Sequence, residues 1–281
     1  MSYTEDLERL ETLEARKVLW GVAPTGPIHL GYLPYLLLLR RLQREGAGIV
    51  VLIANYHGYL DASKSSWEDL ESRTAQYRDT FTRAGFGSHL METSQFYGSE
   101  KYSAELYRIS PVLSLTALRD AGRGTLERAG DDSLANALYV ATQILDPYFL
   151  QADLVLSGVD ESPIYRLGLP MLRAATGFEC AGAYLPMCPG LYAAEMHASD
   201  APENKVLLFS DETTLTAQLA GAPDGRARLA RYLADFVYPL AGLDGTDLHQ
   251  AEPRRLARAI TSLWDVLTDD TRAVTASTLS G

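Results

Sequence analysis

The run from Val18 to Asn55 constrains the fold more than any other part of this chain. Val18-Leu-Trp-Gly-Val22 is a short apolar strand. Gly48-Ile-Val-Val-Leu-Ile-Ala-Asn55 is a second, rich in β-branched residues and apolar on both faces, as a strand buried inside a parallel sheet must be. Between them Leu33 to Gly46 has the apolar spacing of a helix, so the three elements make a strand-helix-strand unit with a right-handed crossover expected. The first strand runs into Gly21-Val-Ala-Pro-Thr-Gly-Pro-Ile-His-Leu-Gly-Tyr32. Gly21, Gly26 and Gly31 permit backbone angles and close approaches that side chains forbid. The turn precedes a helix, whose unpaired N–H groups and dipole favour an anion. His29 stands between two of these glycines and can donate to a phosphate or to charge developing on one. The segment therefore reads as a phosphate site, and its pattern is neither G-x-G-x-x-G nor the Walker loop.

The alternation of strands and helices continues. Ser65 to Gly85 reads as a helix capped at Ser65 or Ser66, and Ser88 to Thr93 as a third strand. Lys101 to Arg119 and Asp132 to Asp146 read as helices, Asp153 to Ser157 as a fourth strand, Pro163 to Thr176 as a helix and Tyr184 to Cys188 as a final strand. The economical solution is an α/β fold, a Rossmann-like open parallel sheet with helices on both faces. After about residue 205 the pattern is helical only, with Thr213 to Leu219, Asp224 to Leu240 and Pro253 to Asp269, and a tail frayed from Thr271. The expected division is an α/β domain over 1–205 and a small α-helical C-terminal region over 206–281.

Composition narrows the setting. The 281 residues are 47% hydrophobic, and no apolar run reaches the ~20 residues that span a bilayer. The acidic start, Met1-Ser-Tyr-Thr-Glu-Asp-Leu-Glu, lacks the basic-then-apolar plan of a signal peptide, so a cytoplasmic location is expected. Cys180 and Cys188 read as reduced packing residues, and no metal site is expected from them. The net charge of −11 and only four lysines, Lys17, Lys64, Lys101 and Lys205, disfavour broad attraction to nucleic acid. Arg119, Arg123 and Arg128, or Arg226, Arg228 and Arg231, make either a local basic patch or an ordinary solvated face.

Pro24-Thr-Gly-Pro-Ile-His-Leu-Gly-Tyr32 resembles the HIGH signature of class I aminoacyl-tRNA synthetases, in the P-[ST]-G-x-x-H-x-G-H form of the tyrosyl and tryptophanyl enzymes, with Tyr32 in place of the second histidine. The resemblance implies that Thr25 and His29 contact ATP phosphates and that Gly26 and Gly31 admit the adenine. Asn55-Tyr-His-Gly-Tyr-Leu-Asp61 is similar to the family's A-D-x-H-A-[YL] segment, with Asn55 in place of the acid, and His57 is either a substrate contact or a packed histidine.

Tyr139, Gln143 and Asp146 fall at i, i+4 and i+7, which on a helix sets a hydroxyl, an amide and a carboxylate on one face, a set suited to a zwitterionic amino acid. In the family these positions imply amino-group ligands at Tyr139 and Gln143 and a reader of the substrate phenol at Asp146. Ser157-Gly-Val-Asp-Glu161 occupies the place of G-G-x-[DE]-Q. That implies ribose contacts at Gly158 and Asp160, and puts Glu161 where glutamine is usual, favouring a cationic group.

Two departures stand out. Leu19 takes the place of a tyrosine that shares the phenol, and the loop Ala194-Glu-Met-His-Ala-Ser-Asp200 keeps Met196 and Ser199 of the KMSKS loop but neither lysine. Such lysines neutralise departing pyrophosphate, and His197 or Lys205 are the candidate substitutes. Phe236-Val-Tyr-Pro-Leu240 and Arg254 to Leu267 resemble the first and last helices of the family's anticodon-reading region, with the part between shortened.

The resemblance implies a synthetase-like ligase that binds ATP, accompanied by Mg2+, and an amino acid, aromatic or an analogue. It would activate the carboxylate as an aminoacyl-adenylate, for transfer to tRNA or to a small-molecule or carrier-protein acceptor in specialised biosynthesis. Two alternatives remain: an ATP-independent enzyme that forms amides from preloaded aminoacyl-tRNA, and a non-catalytic amino acid or nucleotide sensor. A homodimer through Lys101 to Arg128 is expected by the same analogy.

Overall fold

The computed structural model describes residues 17–61, 66–123, 126, 133–208 and 210–268. Ser65, Arg128, Asp132 and the tail from Thr271, each part of an expectation above, lie outside the described residues. The described chain groups into two compact units, each discontinuous in sequence. One gathers the described residues within 17–25, 46–82 and 86–186, and the other those within 26–45, 83–85 and 187–268.

The first unit holds a five-stranded sheet in the order β3-β2-β1-β4-β5, from β1 (Lys17–Val22), β2 (Gly48–Ile53), β3 (Leu90–Glu92), β4 (Leu154–Gly158) and β5 (Ala181–Leu185). Every pairing is parallel, with Leu19 opposite Val50 and Val155. Growth of the sheet reverses after β3, so β1 and β4 become neighbours, and their carboxyl ends diverge into connections that leave in opposite directions.

Leu19, Val50, Leu52 and Val155 share one sheet face and pack in a core with Leu145, Tyr102, Tyr165 and Leu172. On the other face Trp20 meets the edge of Phe81, ring centres 5.5 Å apart. Helices thus cover both faces, as an all-apolar strand such as Ile49–Ile53 requires.

The helices of this unit are α2 (Asn55–Leu60), α3 (Leu70–Phe81), α4 (Glu100–Ile109), α5 (Leu115–Gly122), α6 (Leu134–Phe149) and α7 (Ser162–Thr176), while α1 (Leu33–Arg44) belongs to the other unit. Several boundaries differ from those read in the sequence, each for a local reason. The expected helix over Lys101 to Arg119 is two, because Pro111 has no N–H to continue the ladder and a 310 turn over Ser110–Val112 resets the chain. The helix expected from Ser65 starts at Leu70, since the Ser66 hydroxyl accepts from the Asp69 N–H in a turn that precedes it. The last strand is Ala181–Leu185 rather than Tyr184 to Cys188, with Pro186 barring continuation of the ladder. The third strand is three residues long, and Asn55, expected at a strand end, opens a helix.

The second unit contains α1, α8 (Glu212–Gly221), α9 (Pro223–Tyr232) and α10 (Pro253–Thr268), α9 running on through a π turn at Leu233–Val237 into Tyr238–Leu240. The apolar stripe of α1 packs against α10. Ahead of α8, the chain from Gly190 to Lys205 is held by Asn204. Its side-chain oxygen accepts from the Tyr192 and Ala193 N–H groups, and its amide donates to the Glu195 carbonyl and to Asp200. Among the described residues no helix is long and apolar enough to cross a membrane.

A tight contact between α6 and α7 gives a direct check. A Cβ added at Gly168 would sit 2.3 Å from Cγ1 of the fully buried Ile144. Gly168→Ala is expected to lower the unfolding free energy by about 1–3 kcal/mol despite alanine's better helix propensity, measured by urea denaturation.

Candidate active site

A cleft opens at the carboxyl ends of β1 and β2. Leu19, Gly21, Val22 and Ala23 line it from β1, Leu52 and Ala54 from β2, and His57 from α2. Tyr139, Gln143 and Asp146 enter from α6, and Glu161 and Tyr165 from the turn after β4 and the start of α7. This is where an open parallel sheet offers a ligand both an apolar floor and strand-end polar groups. The face read from i, i+4, i+7 spacing is real: all three residues are buried and turned into one cavity.

Around Gln143 the cleft is polar and incompletely paired. Its Nε2 donates to Glu161 Oε1 at 3.1 Å and to the Tyr165 hydroxyl at 3.3 Å. Its Oε1 is buried and has no partner. A buried amide oxygen without a donor costs roughly 1–3 kcal/mol, which a ligand N–H would recover. Burial and the neighbouring Glu161 carboxylate push the Tyr139 phenol well up, so it stays a neutral donor.

One turn further along α6, Asp146 is differently placed. Tyr97 donates to its Oδ2 at 2.9 Å and Tyr102 to its Oδ1 at 2.7 Å. Burial pushes this carboxyl up from its ordinary 3.8 to about 7, against the two phenols, which pull it down.

His57 is tied to α6. Thr142 gives its hydroxyl proton to the Leu138 carbonyl at 2.7 Å, so at 2.9 Å it accepts from His57 Nε2. That assigns the proton to Nε2, and burial lowers this ring to about 4, so it is neutral.

Asn55 does not reach the cleft. Its Oδ1 accepts from the Thr93 hydroxyl and from the Ser94 and Tyr56 N–H groups, and its Nδ2 donates to Ser94, which consumes the amide in fixing the 93–94 turn. Gly158 ends β4 in register with Leu185, and Asp160 follows it in the 310 turn that carries Glu161; neither lines the cleft. Tyr97, Tyr102 and Tyr165 were not read from the sequence. Tyr97 and Tyr102 lie 49 and 44 residues from Asp146, with no spacing to reveal the contact. Tyr165 falls four residues after Glu161 at the start of a recognised helix, which was a usable signal.

The glycine-spaced segment is divided between the units: Gly21 and Thr25 belong to the first, Gly26 to Tyr32 to the second. In the first, the Thr25 carbonyl accepts from Arg73 at 2.5 Å, and a Cβ on Gly21 would meet nothing within 4 Å. In the second, His29 caps the 310 turn Leu30–Tyr32, its Nδ1 accepting from the Gly31 N–H at 3.2 Å. The imidazole proton is therefore on Nε2. Burial, with Lys205 and His197 nearby, lowers His29 to about 3, which makes it a neutral donor.

Gly26 and Gly31 have packing reasons to be glycine. A Cβ on Gly26 would lie 1.9 Å from the Ala198 carbonyl oxygen, and one on Gly31 2.8 Å from the His29 ring. Met196 is 1% exposed and Lys205 is 4% exposed, its ammonium donating to the Ala198 carbonyl at 2.8 Å. Met196 is accordingly a core residue of its loop, and Lys205, a candidate substitute for the missing lysines, is anchored to the backbone of that loop. The half-buried Arg228 donates through one guanidinium nitrogen to the Gly190 and Ala193 carbonyls, and Arg119 and Arg123 lie beside Asp120. Among the described residues no group of three or more His, Cys, Asp or Glu is placed to hold a metal ion.

The sequence model of the tRNA synthetases class I (W and Y) matches residues 12–238. The chain belongs to this family. It is thus a member of the aminoacyl-tRNA ligases, whose class uses ATP. A tyrosine–tRNA ligase of Natronomonas pharaonis is 29% identical to this synthetase-family chain over 232 residues, 78% of the chain and 67% of that protein. A cytoplasmic tyrosine–tRNA ligase of Xenopus tropicalis is 28% identical over 213 residues, 73% of the chain and 40% of that protein, so the chain spans well under half of this longer relative. In fold it is similar to the tyrosyl-tRNA synthetase of Archaeoglobus fulgidus complexed with L-tyrosine, with a TM-score of 0.79 at 22% identity over 94% of this chain and 92% of that one.

Two measurements probe this geometry. Gly26→Ala is expected to cost about 1–3 kcal/mol in urea unfolding, because a backbone carbonyl cannot yield, whereas Gly21→Ala changes stability by no more than about 0.5 kcal/mol. Asp146 holds its proton in the native state between its ordinary 3.8 and about 7 but releases it on unfolding, so its contribution to stability falls as pH rises through that window. Asp146→Asn lacks that slope, and its stability relative to the unsubstituted protein is expected to climb from pH 4 to 7 and level off above. A difference flat across the window would show the native carboxyl to be ionised.

Proposed function

We propose that this chain binds an α-amino acid in the cleft and ATP at the glycine-spaced segment, and activates the amino acid as an aminoacyl-adenylate. The observation that carries the reading is the unpartnered Oε1 of Gln143, a buried amide that donates to the Glu161 carboxylate and lines the cleft together with the buried Tyr139. That set offers acceptors for an ammonium group, at the site where a parallel sheet ends over an apolar floor. His29 supplies the second support: a neutral imidazole, fixed by its own turn, whose Nε2–H can donate to phosphate oxygens.

The chemistry asked of the protein is positional. The substrate carboxylate oxygen forms a bond to the α-phosphorus and the bond to the bridging oxygen breaks, releasing pyrophosphate. Gln143, Glu161 and Tyr139 hold the ammonium end, and His29 and Thr25 bear on phosphate oxygens. Gly158 and Asp160, at the end of β4, are assigned to the ribose and Gly21 to close approach of the ligand. Mg2+ accompanies ATP as its counter-ion in this scheme.

The acyl group passes to tRNA, or to another amine or carrier in a specialised pathway. The second acceptor is favoured by the charge of −11 and the engagement of Arg228 with backbone carbonyls. Tyr107, Val112 and Leu115, exposed on α4, the 310 turn and α5, support a homodimer through 101–128. The α/β region over 1–205 would carry the chemistry and 206–281 the reduced helical appendage.

One observation favours a second reading, an amino acid sensor without turnover: the loop over Ala194–Asp200 has no lysine, and Lys205 is committed to Ala198.

Amino acid-dependent exchange of pyrophosphate into ATP separates the two. His29→Asn keeps a good N-cap acceptor for the Gly31 N–H but removes the Nε2 donor. Exchange is expected in the unsubstituted protein and to fall about a hundredfold or more in the variant. Amino acid binding without any exchange supports the sensor, and exchange unaffected by the substitution overturns the phosphate assignment.

A further inference from the structure

We infer that the deep part of the cleft does not read a substrate hydroxyl, and that the amino acid it takes carries an apolar side chain, a phenyl or branched aliphatic group, in preference to a phenol. The inference rests on the amino acid reading above and deepens it.

A pocket rejects an analogue that lacks a hydroxyl chiefly because its own buried polar group is then left unpaired; where the pocket is built that way the rejection is about 10^4-fold or more. That condition is not met at Asp146. Each of its oxygens already holds a short hydrogen bond from within the chain, Oδ2 from Tyr97 at 2.9 Å and Oδ1 from Tyr102 at 2.7 Å. Neither phenol has a better alternative. Tyr102 is 3.3 Å from the Thr142 carbonyl, and Tyr97 is 3.4 Å from a His57 nitrogen whose proton goes to Thr142.

The two phenols are also held in place. Their rings stack at 4.5 Å and an interplanar angle of 19°, Phe96 packs on both, and Phe149 packs on Tyr102. Swinging either hydroxyl out to make room for a ligand hydroxyl would break that packing.

His57 also borders this part of the cleft, with its Nε2 proton given to Thr142, and the floor beneath is apolar. Leu19 and Leu52, each 2% exposed, face the cleft from the sheet, and Leu19 brings no hydroxyl of its own. The unsatisfied demand in the cleft lies one helical turn back, at Gln143 Oε1, where an ammonium group meets it. An apolar side chain over Leu19 and Leu52 leaves nothing unpaired. A phenol gains little there, because the chain's own tyrosines already serve the carboxyl that would receive it.

Isothermal titration of the whole chain with L-tyrosine, L-phenylalanine and L-leucine, each with a non-hydrolysable ATP analogue present, tests this without requiring turnover. Phenylalanine or leucine is expected to bind more tightly than tyrosine, by about threefold or more. Tyrosine binding as tightly as both or more tightly overturns the inference while leaving the amino acid reading intact. Heat from none of the three, with or without nucleotide, overturns the amino acid reading itself and this inference with it.

Tyr97→Phe supplies the converse. It frees one carboxyl oxygen, and the ratio of tyrosine to phenylalanine affinity is expected to rise by about tenfold, in a variant whose circular dichroism matches the unsubstituted protein. An unchanged ratio in that folded variant overturns the claim that the chain's own phenols occupy Asp146. Should the variant fail to fold, the titration of the unsubstituted protein still decides.

Discussion

Parallel pairing of β1 with both β2 and β4 is the constraint on which the rest of the α/β unit depends. Parallel strands bring all their carboxyl ends to one edge, and the order β3-β2-β1-β4-β5 reverses the growth of the sheet at β1, so connections leave that edge in opposite directions. The gap between them is what a ligand can enter. Leu19 and Leu52 floor it because register puts them on the same face, and α6 walls it because Leu145 belongs to the core cluster that covers that face. Shift any of these strands by one residue and the floor would turn to the opposite face.

Burial then governs the chemistry of the groups placed there. His29 and His57 are both kept neutral by desolvation, and each has its tautomer set by a local partner, the Gly31 N–H for one and the Thr142 hydroxyl for the other. Asp146 is raised towards neutrality by the same cause, yet it retains two phenol donors, so its requirement is met by the protein. Gln143 is the contrast, with its amide hydrogens used and its oxygen waiting. The difference between a satisfied carboxyl and an unsatisfied amide, one turn apart on α6, defines what the cleft demands of a ligand.

The sequence carried much of this. Strands apolar on both faces could only be interior strands of a covered parallel sheet, and the spacing of Tyr139, Gln143 and Asp146 needed nothing beyond helical geometry to converge. Errors fell where a local rule met a competing one. Pro111 divided a helix whose apolar spacing ran on through it, and the hydrogen-bonding partner β4 moved the last strand three residues towards the N-terminus, ahead of Pro186. Glycines told of a need for small size without telling which neighbour imposed it. Gly26 faces the Ala198 carbonyl and Gly31 the His29 ring, whereas Gly21 faces open space.

What the sequence determined by itself was periodic or local: the α/β class, the order of elements, the family to which the glycine-spaced turn belongs, and the polar face of α6. What only the tertiary structure decided were pairings between residues far apart in the chain. Tyr97 and Tyr102 on Asp146, Asn55 spent on the 93–94 turn, and Lys205 locked to Ala198 are of this kind. The physical reason is that a side chain's free capacity for hydrogen bonding depends on every neighbour that folding brings within about 3 Å, and nothing in linear spacing records those neighbours.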